Sequence, residues 1–231
     1  MSDAIIEEDD TLAKLTLDVL RDRFAAEDSS GERAPGTHVS DLIFPRKAWL
    51  GKHTPAVKLS DDECIYFIAG RAHHEIIEAL IAEGKMREVK LEWNDIHGTV
   101  DAVRETPVEI KTSRSGTDHD ASEVPGHYIL QLGMYCAMFV PEAKESIGTI
   151  LILFLKVKKK SIFGGRQRQK PKLRSYTIRF QDLDHIRQVM LARKAMLEGD
   201  VAPPKDLCEP WLCGSCRFWH NECEGRDDAW A

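Results

Sequence analysis

Apolar positions follow two rhythms along the chain. Between Ile65 and Glu83 they recur at helical spacing: Ile68, Ala72, Ile76, Ala79 and Leu80 share a face, and Gly84 can cap the end. Thr11–Ala25, Ser40–Gly51, Pro125–Val140 and Asp182–Glu198 predict further helices, the second with Pro45 near its first turn. Short alternating or β-branched runs predict strands at Val89–Trp93, Gly98–Arg104, Val108–Ser113, Ile147–Lys158 and Ser175–Phe180. Residues 26–36 and 114–124 read as loops, and Gly164–Gly165 sit in another. Helices, a hairpin, a helix, a strand pair and a helix in that order predict an α/β (α+β) fold with one mixed sheet. The expected organisation is an acidic extension over 1–36, a core over 37–200 and a Cys-rich segment over 201–231, together one compact domain.

Composition narrows the class. At 231 residues, 42% hydrophobic and 30% charged, the chain suits a soluble domain with its own core. The longest apolar run, Ile150–Leu155, is far shorter than the ~20 residues of a membrane-spanning helix. The N-terminus is acidic (Asp3, Glu7, Glu8, Asp9, Asp10) rather than basic and then apolar, so a cytoplasmic location and no membrane partner are expected.

The formal charge of −6 conceals an asymmetry. Nine Lys and Arg residues and no Asp or Glu lie between Lys156 and Arg174, among them Lys158, Lys159, Lys160, Arg166 and Arg168. Without those nine the charge would be −15. An acidic body with one basic strip suits a polyanion that touches one place. It equally suits a solvated hairpin with a lysine-protected edge.

The hairpin Gly98–Lys111 carries the candidate chemistry. A turn at Glu105-Thr106-Pro107 makes opposed residues sum to 210, so Asp101 faces Glu109, with Lys111 on the same side and Ile110 on the other. Opposed carboxylates destabilise a sheet unless a positive charge lies between them. A divalent cation supplies one, since carboxylates and water are what Mg²⁺ prefers. Lys111 beside it could orient water or stabilise charge on a phosphate. A solvated salt-bridge cluster explains the same pattern when it is taken alone. Upstream, His74 and Glu78 lie one turn apart on the long helix, and a neutral imidazole could complete a metal shell. Downstream, Gln131 and Tyr135 are also one turn apart, a spacing that core packing produces as well.

Read in order, Gly70-x3-His74, Gly98-x2-Asp101, Glu109-x-Lys111 and Gln131-x3-Tyr135 resemble the motifs of RecB-like PD-(D/E)XK nucleases. The resemblance covers Gly70 to Tyr135 and implies the core fold of that superfamily. It implies His74, Asp101, Glu109 and the Ile110 carbonyl as ligands of Mg²⁺ or Mn²⁺. It implies Lys111, with Asp101 and Glu109, as the catalytic group, and Gln131 and Tyr135 near the scissile phosphate or the DNA. His73 competes with His74 by a shift of one residue, and the spacing from Gly70 favours His74.

Four of the six cysteines crowd the C-terminal segment: Cys208, Cys213, Cys216 and Cys223. In a reducing compartment such a cluster reads as a metal site, either a [4Fe-4S] cluster or Zn²⁺, and the spacing does not choose. Cys64 and Cys136 read as buried small hydrophobes. The tail resembles that of the CRISPR-associated iron–sulfur exonucleases, which implies a structural cluster. That branch takes a fourth Cys just before a Pro-Arg pair, where Phe44 stands in this chain, so Cys208 becomes the candidate replacement.

The expected function is a metal-dependent deoxyribonuclease, an exonuclease acting on single-stranded DNA or DNA ends, in which water attacks a phosphodiester in line. The basic strip (Lys158, Lys159, Lys160, Arg166, Arg168) would hold the strand backbone, with steep salt dependence. The resemblance implies CRISPR adaptation proteins or a recombination helicase as partners, and roles in CRISPR adaptation or in viral or recombinational DNA processing. A non-catalytic nucleic-acid-binding or assembly module on the same fold is the alternative. A thiol redox protein built on Cys213-Gly-Ser-Cys216 is disfavoured, because that pair does not open a helix of a βαβ unit.

Overall fold

Helix-forming and strand-forming segments alternate along the chain, and helices pack against a single sheet. The computed structural model describes residues 14–19, 21–22, 35–54, 61–81, 86–113, 116–117, 124–158, 170–213, 216, 218 and 223, with backbone alone at 116–117, 156–158, 170 and 211. In chain order the elements are β1 (Thr37–His38), α1 (Val39–Ile43), α2 (Pro45–His53), α3 (Asp61–Ile81), β2 (Arg87–Trp93), β3 (Ile96–Val103), β4 (Pro107–Ser113) and β5 (Gly116–Thr117). They continue with α4 (Gly126–Phe139), β6 (Ser146–Lys158), β7 (Lys170–Phe180), α5 (Leu183–Glu198), a 3₁₀ turn at Lys205–Leu207 and α6 (Pro210–Cys213).

The strands form one mixed sheet of seven, two of them only two residues long. β2 and β3 pair antiparallel, β4 runs parallel to β6, and β7 pairs antiparallel with β6 along its outer side. The α/β expectation with a mixed central sheet therefore holds. The short parallel strands β1 and β5, which pair with β3 and β6, were not expected. Nor was the early start of β7 at Lys170, five residues before the predicted boundary.

The single helix predicted over Ser40–Gly51 is two. Pro45 has no N–H and restricts the residue before it, so Phe44 leaves the helical region and becomes the N-cap of α2. α4 is the central core helix: Leu132 through Met138 are all buried. It lies close to the sheet because glycines stand beneath it. A Cβ on Gly148 of β6 would come within 2.8 Å of Leu132 and 2.9 Å of Cys136, and one on Gly98 of β3 within 2.8 Å of Tyr135.

α5 ties the other elements down with three cations. Arg187 reaches past the end of α4 to the carbonyls of Val140 (2.9 Å) and Ala143 (2.8 Å). Arg193 reaches the carbonyls of Leu42 (2.6 Å) and Ile43 (3.1 Å), and Lys194 that of Asn94 (2.7 Å). These are charge-assisted bonds to carbonyls at helix ends and turns. Cys64 and Cys136 are fully buried, as their apolar surroundings suggest. Among the described residues no helix is long and apolar enough to cross a membrane.

Candidate active site

The predicted hairpin register holds at its tip. Ala102 opposes Val108 and Val103 opposes Pro107, each pair on the expected sum. The recorded pairing stops there. At the next position the Ile110 N–H donates to Asp101 Oδ2 at 2.6 Å, a side chain in place of a ladder carbonyl. The Ile110 side chain is fully buried in the core. Its N–H thus fixes the Asp101 carboxylate at the point where β3 and β4 part.

Three elements bring acidic groups to this point. α3 supplies His74 and Glu78, β3 supplies Asp101, and β4 supplies Glu109. His74 Nδ1 lies 3.9 Å from Asp101 Oδ2. One ligand atom each from His74, Glu78 and Asp101 lie within 4.8 Å of one another, the one such group of three or more His, Cys, Asp or Glu among the described residues. His73, the shifted competitor, instead turns Nδ1 to the Ala69 carbonyl at 2.5 Å. Glu109 is outside that group of three. Its Oε1 accepts from Lys111 Nζ at 2.5 Å, and its buried Oε2 has no hydrogen-bond partner among the described residues.

Lys111 begins a chain of contacts into α4. Its ammonium donates to Gln131 Oε1 at 2.8 Å, and Gln131 Nε2 donates to Tyr135 Oη at 3.1 Å. The Tyr128 ring, one helical turn before Gln131, has its centroid 5.3 Å from Lys111 Nζ, within cation–π range. Tyr135 is 4% exposed, so any effect it has on substrate passes through Gln131 and Lys111 rather than by contact.

The electrostatics follow from burial of like charges. Burial raises Glu109 to about 7; the Lys111 ammonium opposes this, and the charges of Asp101 and Glu78 reinforce it. Burial also raises Glu78 to about 7, with Asp101 and Glu88 adding to the effect and Arg87 opposing it. Asp101 is raised by burial, against the opposing pull of the Ile110 N–H and of His74. Burial would lower Lys111, but the charge and hydrogen bond of Glu109 outweigh it and hold the proton on the amine. His74 is lowered by burial, with Asp101 opposing, so it stays a neutral imidazole able to donate a lone pair.

This donor set fits a hard divalent cation. Glu78 and Asp101, whose ionised forms are disfavoured, meet a neutral imidazole at one place, and Glu109 beside them, held by Lys111 on one oxygen, has its other oxygen without a partner among the described residues. Sequence reasoning noted that Glu78 shares a face with His74 but gave it no place in the site, because the nuclease motifs do not include it. Its spacing of four from His74 was the available signal. Tyr128 and His127, also near Lys111, had no sequence signal beyond lying on the motif helix.

The cysteine segment folds back onto α2. Arg46 Nε donates to Cys223 Sγ at 3.3 Å, and Arg46 Nη1 to the Pro203 carbonyl at 2.7 Å. Cys208 accepts from the backbone N–H of Lys47, yet burial and the charges of Cys213, Cys216 and Cys223 raise its thiol to about 11. All four cysteines are free thiols, and among the described residues no three of their sulfurs come within the 4.8 Å span that His74, Glu78 and Asp101 meet. Phe44, at the position where the resembling branch has a Cys, instead sets its ring 5.5 Å from that of His127. Of the predicted DNA contacts, Lys159, Lys160, Arg166 and Arg168 lie outside the described residues, and Lys158 is described by its backbone alone. No protein-family model and no curated protein matches the chain.

Proposed function

We propose that this chain is a metal-dependent deoxyribonuclease of the RecB-like PD-(D/E)XK type, acting on single strands or free DNA ends. One observation carries the reading. His74 and Glu78 of α3 come to the end of the hairpin that carries Asp101, Glu109 and Lys111, and the lysine is held in place by Gln131 of α4. His74, Asp101 and Glu109 would hold Mg²⁺ or Mn²⁺. The cation would supply Lewis acidity toward a phosphodiester oxygen and lower the pKa of an attacking water.

The protein's own groups do the rest. The Ile110 N–H holds Asp101 in one orientation. Gln131, itself tied to Tyr135, fixes the direction of the Lys111 ammonium. Glu109 keeps that ammonium protonated, so it can donate to an oxygen of the scissile phosphate as charge develops there. The basic strip would bind the strand backbone away from the chemistry. The cysteine segment would hold a structural [4Fe-4S] cluster, with Zn²⁺ as the alternative occupant, and so clamp the tail to α2.

Cleavage of end-labelled single- and double-stranded DNA with Mn²⁺, comparing wild type with Lys111→Ala, tests the reading. The expected result is cleavage by wild type and a loss of about a hundredfold or more in the variant with DNA binding retained. DNA binding without cleavage by either protein would instead support the non-catalytic binding module.

A further inference from the structure

We infer that Glu78 is a direct ligand of the divalent cation, which makes the site a four-donor set of His74, Glu78, Asp101 and Glu109 on three elements. The inference rests on the nuclease reading above and adds to it a carboxylate that the nuclease motifs leave out. Three observations carry it. First, Glu78 lies one turn after His74 on α3, so both side chains point to the same place. Second, its carboxylate, the His74 ring nitrogen and the Asp101 carboxylate lie within 4.8 Å of one another, a span that one ion can bridge. Third, Glu78 is one of only two buried residues on a 21-residue helix, although it is charged and its neighbours Ile76 and Leu80 are exposed.

An ion pair does not account for that burial. Arg87 Nη2 is 3.8 Å from Glu78 Oε2, beyond hydrogen-bond distance, and its side chain is 43% exposed. A buried carboxylate needs closer compensation than this. Beside the group, Glu109 gives one oxygen to Lys111 and leaves its buried Oε2 without a hydrogen-bond partner among the described residues, a second donor that nothing else engages.

The test is Mn²⁺ affinity of the full chain, measured by loss of the free-ion electron paramagnetic resonance signal and by calorimetry. Thiolates are poor Mn²⁺ ligands, so the cysteine segment contributes little. Three variants separate a ligand from a mere source of negative field. Glu78→Gln removes the donor charge. Glu78→Asp keeps the charge but withdraws the carboxylate. Glu88→Gln removes a neighbouring charge that acts on Glu78 and Asp101 without belonging to the donor set. The expected result is weakening of at least tenfold for Glu78→Gln, several-fold for Glu78→Asp and less than threefold for Glu88→Gln. Equal effects of Glu78→Gln and Glu88→Gln, or an unchanged Glu78→Asp, would overturn the inference and leave the nuclease reading standing. Should Glu78→Gln fail to fold, the Glu78→Asp comparison alone decides. Wild-type protein that binds no Mn²⁺ would overturn the nuclease reading and the inference with it.

Discussion

Helices α3 and α4 both border the candidate site, and they are held in opposite ways. Seven of the 14 residues of α4 are buried, and its side chains interdigitate with β6 over Gly148. α3 is half as long again, yet only Cys64 and Glu78 are buried on it. Ile76 is 62% exposed and Leu80 72%. α4 carries Gln131, Tyr128 and Tyr135, which position the lysine. α3 carries His74 and Glu78, which face the carboxylates. The lysine half of the site is therefore built by packing, whereas the ligand half hangs on a helix that sets the Glu78 carboxylate against Asp101, with His74 to offset it. The difference teaches where a cation matters structurally: it would join α3 to β3 and β4, and nothing comparable is needed at α4.

Substitutions should reproduce that contrast. The largest effect is expected at Leu132, fully buried where α4 meets β6: Leu132→Ala should cost about 3 kcal/mol in chemical denaturation, through lost burial plus the cavity left behind. Next comes Cys213→Ala. If the tail holds a metal centre, its binding energy is folding energy, so the variant should lose bound iron or zinc by elemental analysis and melt several degrees lower. Equal metal content and melting temperature would mean that the segment has no structural centre.

A smaller effect concerns pH. Burial, with the Lys111 charge beside it, lowers His127 to about 4, against about 6.5 in an unfolded chain. Between those values the unfolded state binds the extra proton, so this contribution is complete above about pH 6.5 and is lost as pH falls toward 4. His127→Phe should flatten the fall in stability across that window, measured by urea denaturation at several pH values. The smallest effect is expected at Leu80→Ala, within about 0.5 kcal/mol of wild type, because the side chain is already in solvent. A large loss there would mean that the face of α3 is covered in solution and that the contrast with α4 is false.

Much of this was legible in the sequence, for physical reasons that can be named. The hairpin register followed from turn chemistry and the two-residue period, and it holds at Ala102 and Val103. The order of helices and strands followed from periodicity. What periodicity cannot report is whether a stripe has a partner: Ile76 and Leu80 share the predicted apolar face of α3 yet stay exposed. Pro45 was visible, but reading it as a first-turn proline merged α1 and α2, when its effect on Phe44 separates them. The start of β7 was hidden because Lys170, Pro171 and Lys172 look like loop, whereas on an outer strand charge and proline are ordinary. Within the site, His74, Asp101, Glu109, Lys111, Gln131 and Tyr135 could be named through motif order. Their division of labour could not, since Tyr135 reaches the lysine only through Gln131 and the Ile110 N–H turns to Asp101.

Hydrogen–deuterium exchange of the whole protein with and without Mn²⁺ addresses the central claim most directly, because it reads α3 and α4 in one sample. The account predicts that the ion slows exchange in the second half of α3, residues 72–81, and in the hairpin around Asp101 and Ile110, while α4 stays as protected as before. Unchanged exchange in α3, or equal slowing of both helices, would contradict a cation that joins α3 to the hairpin.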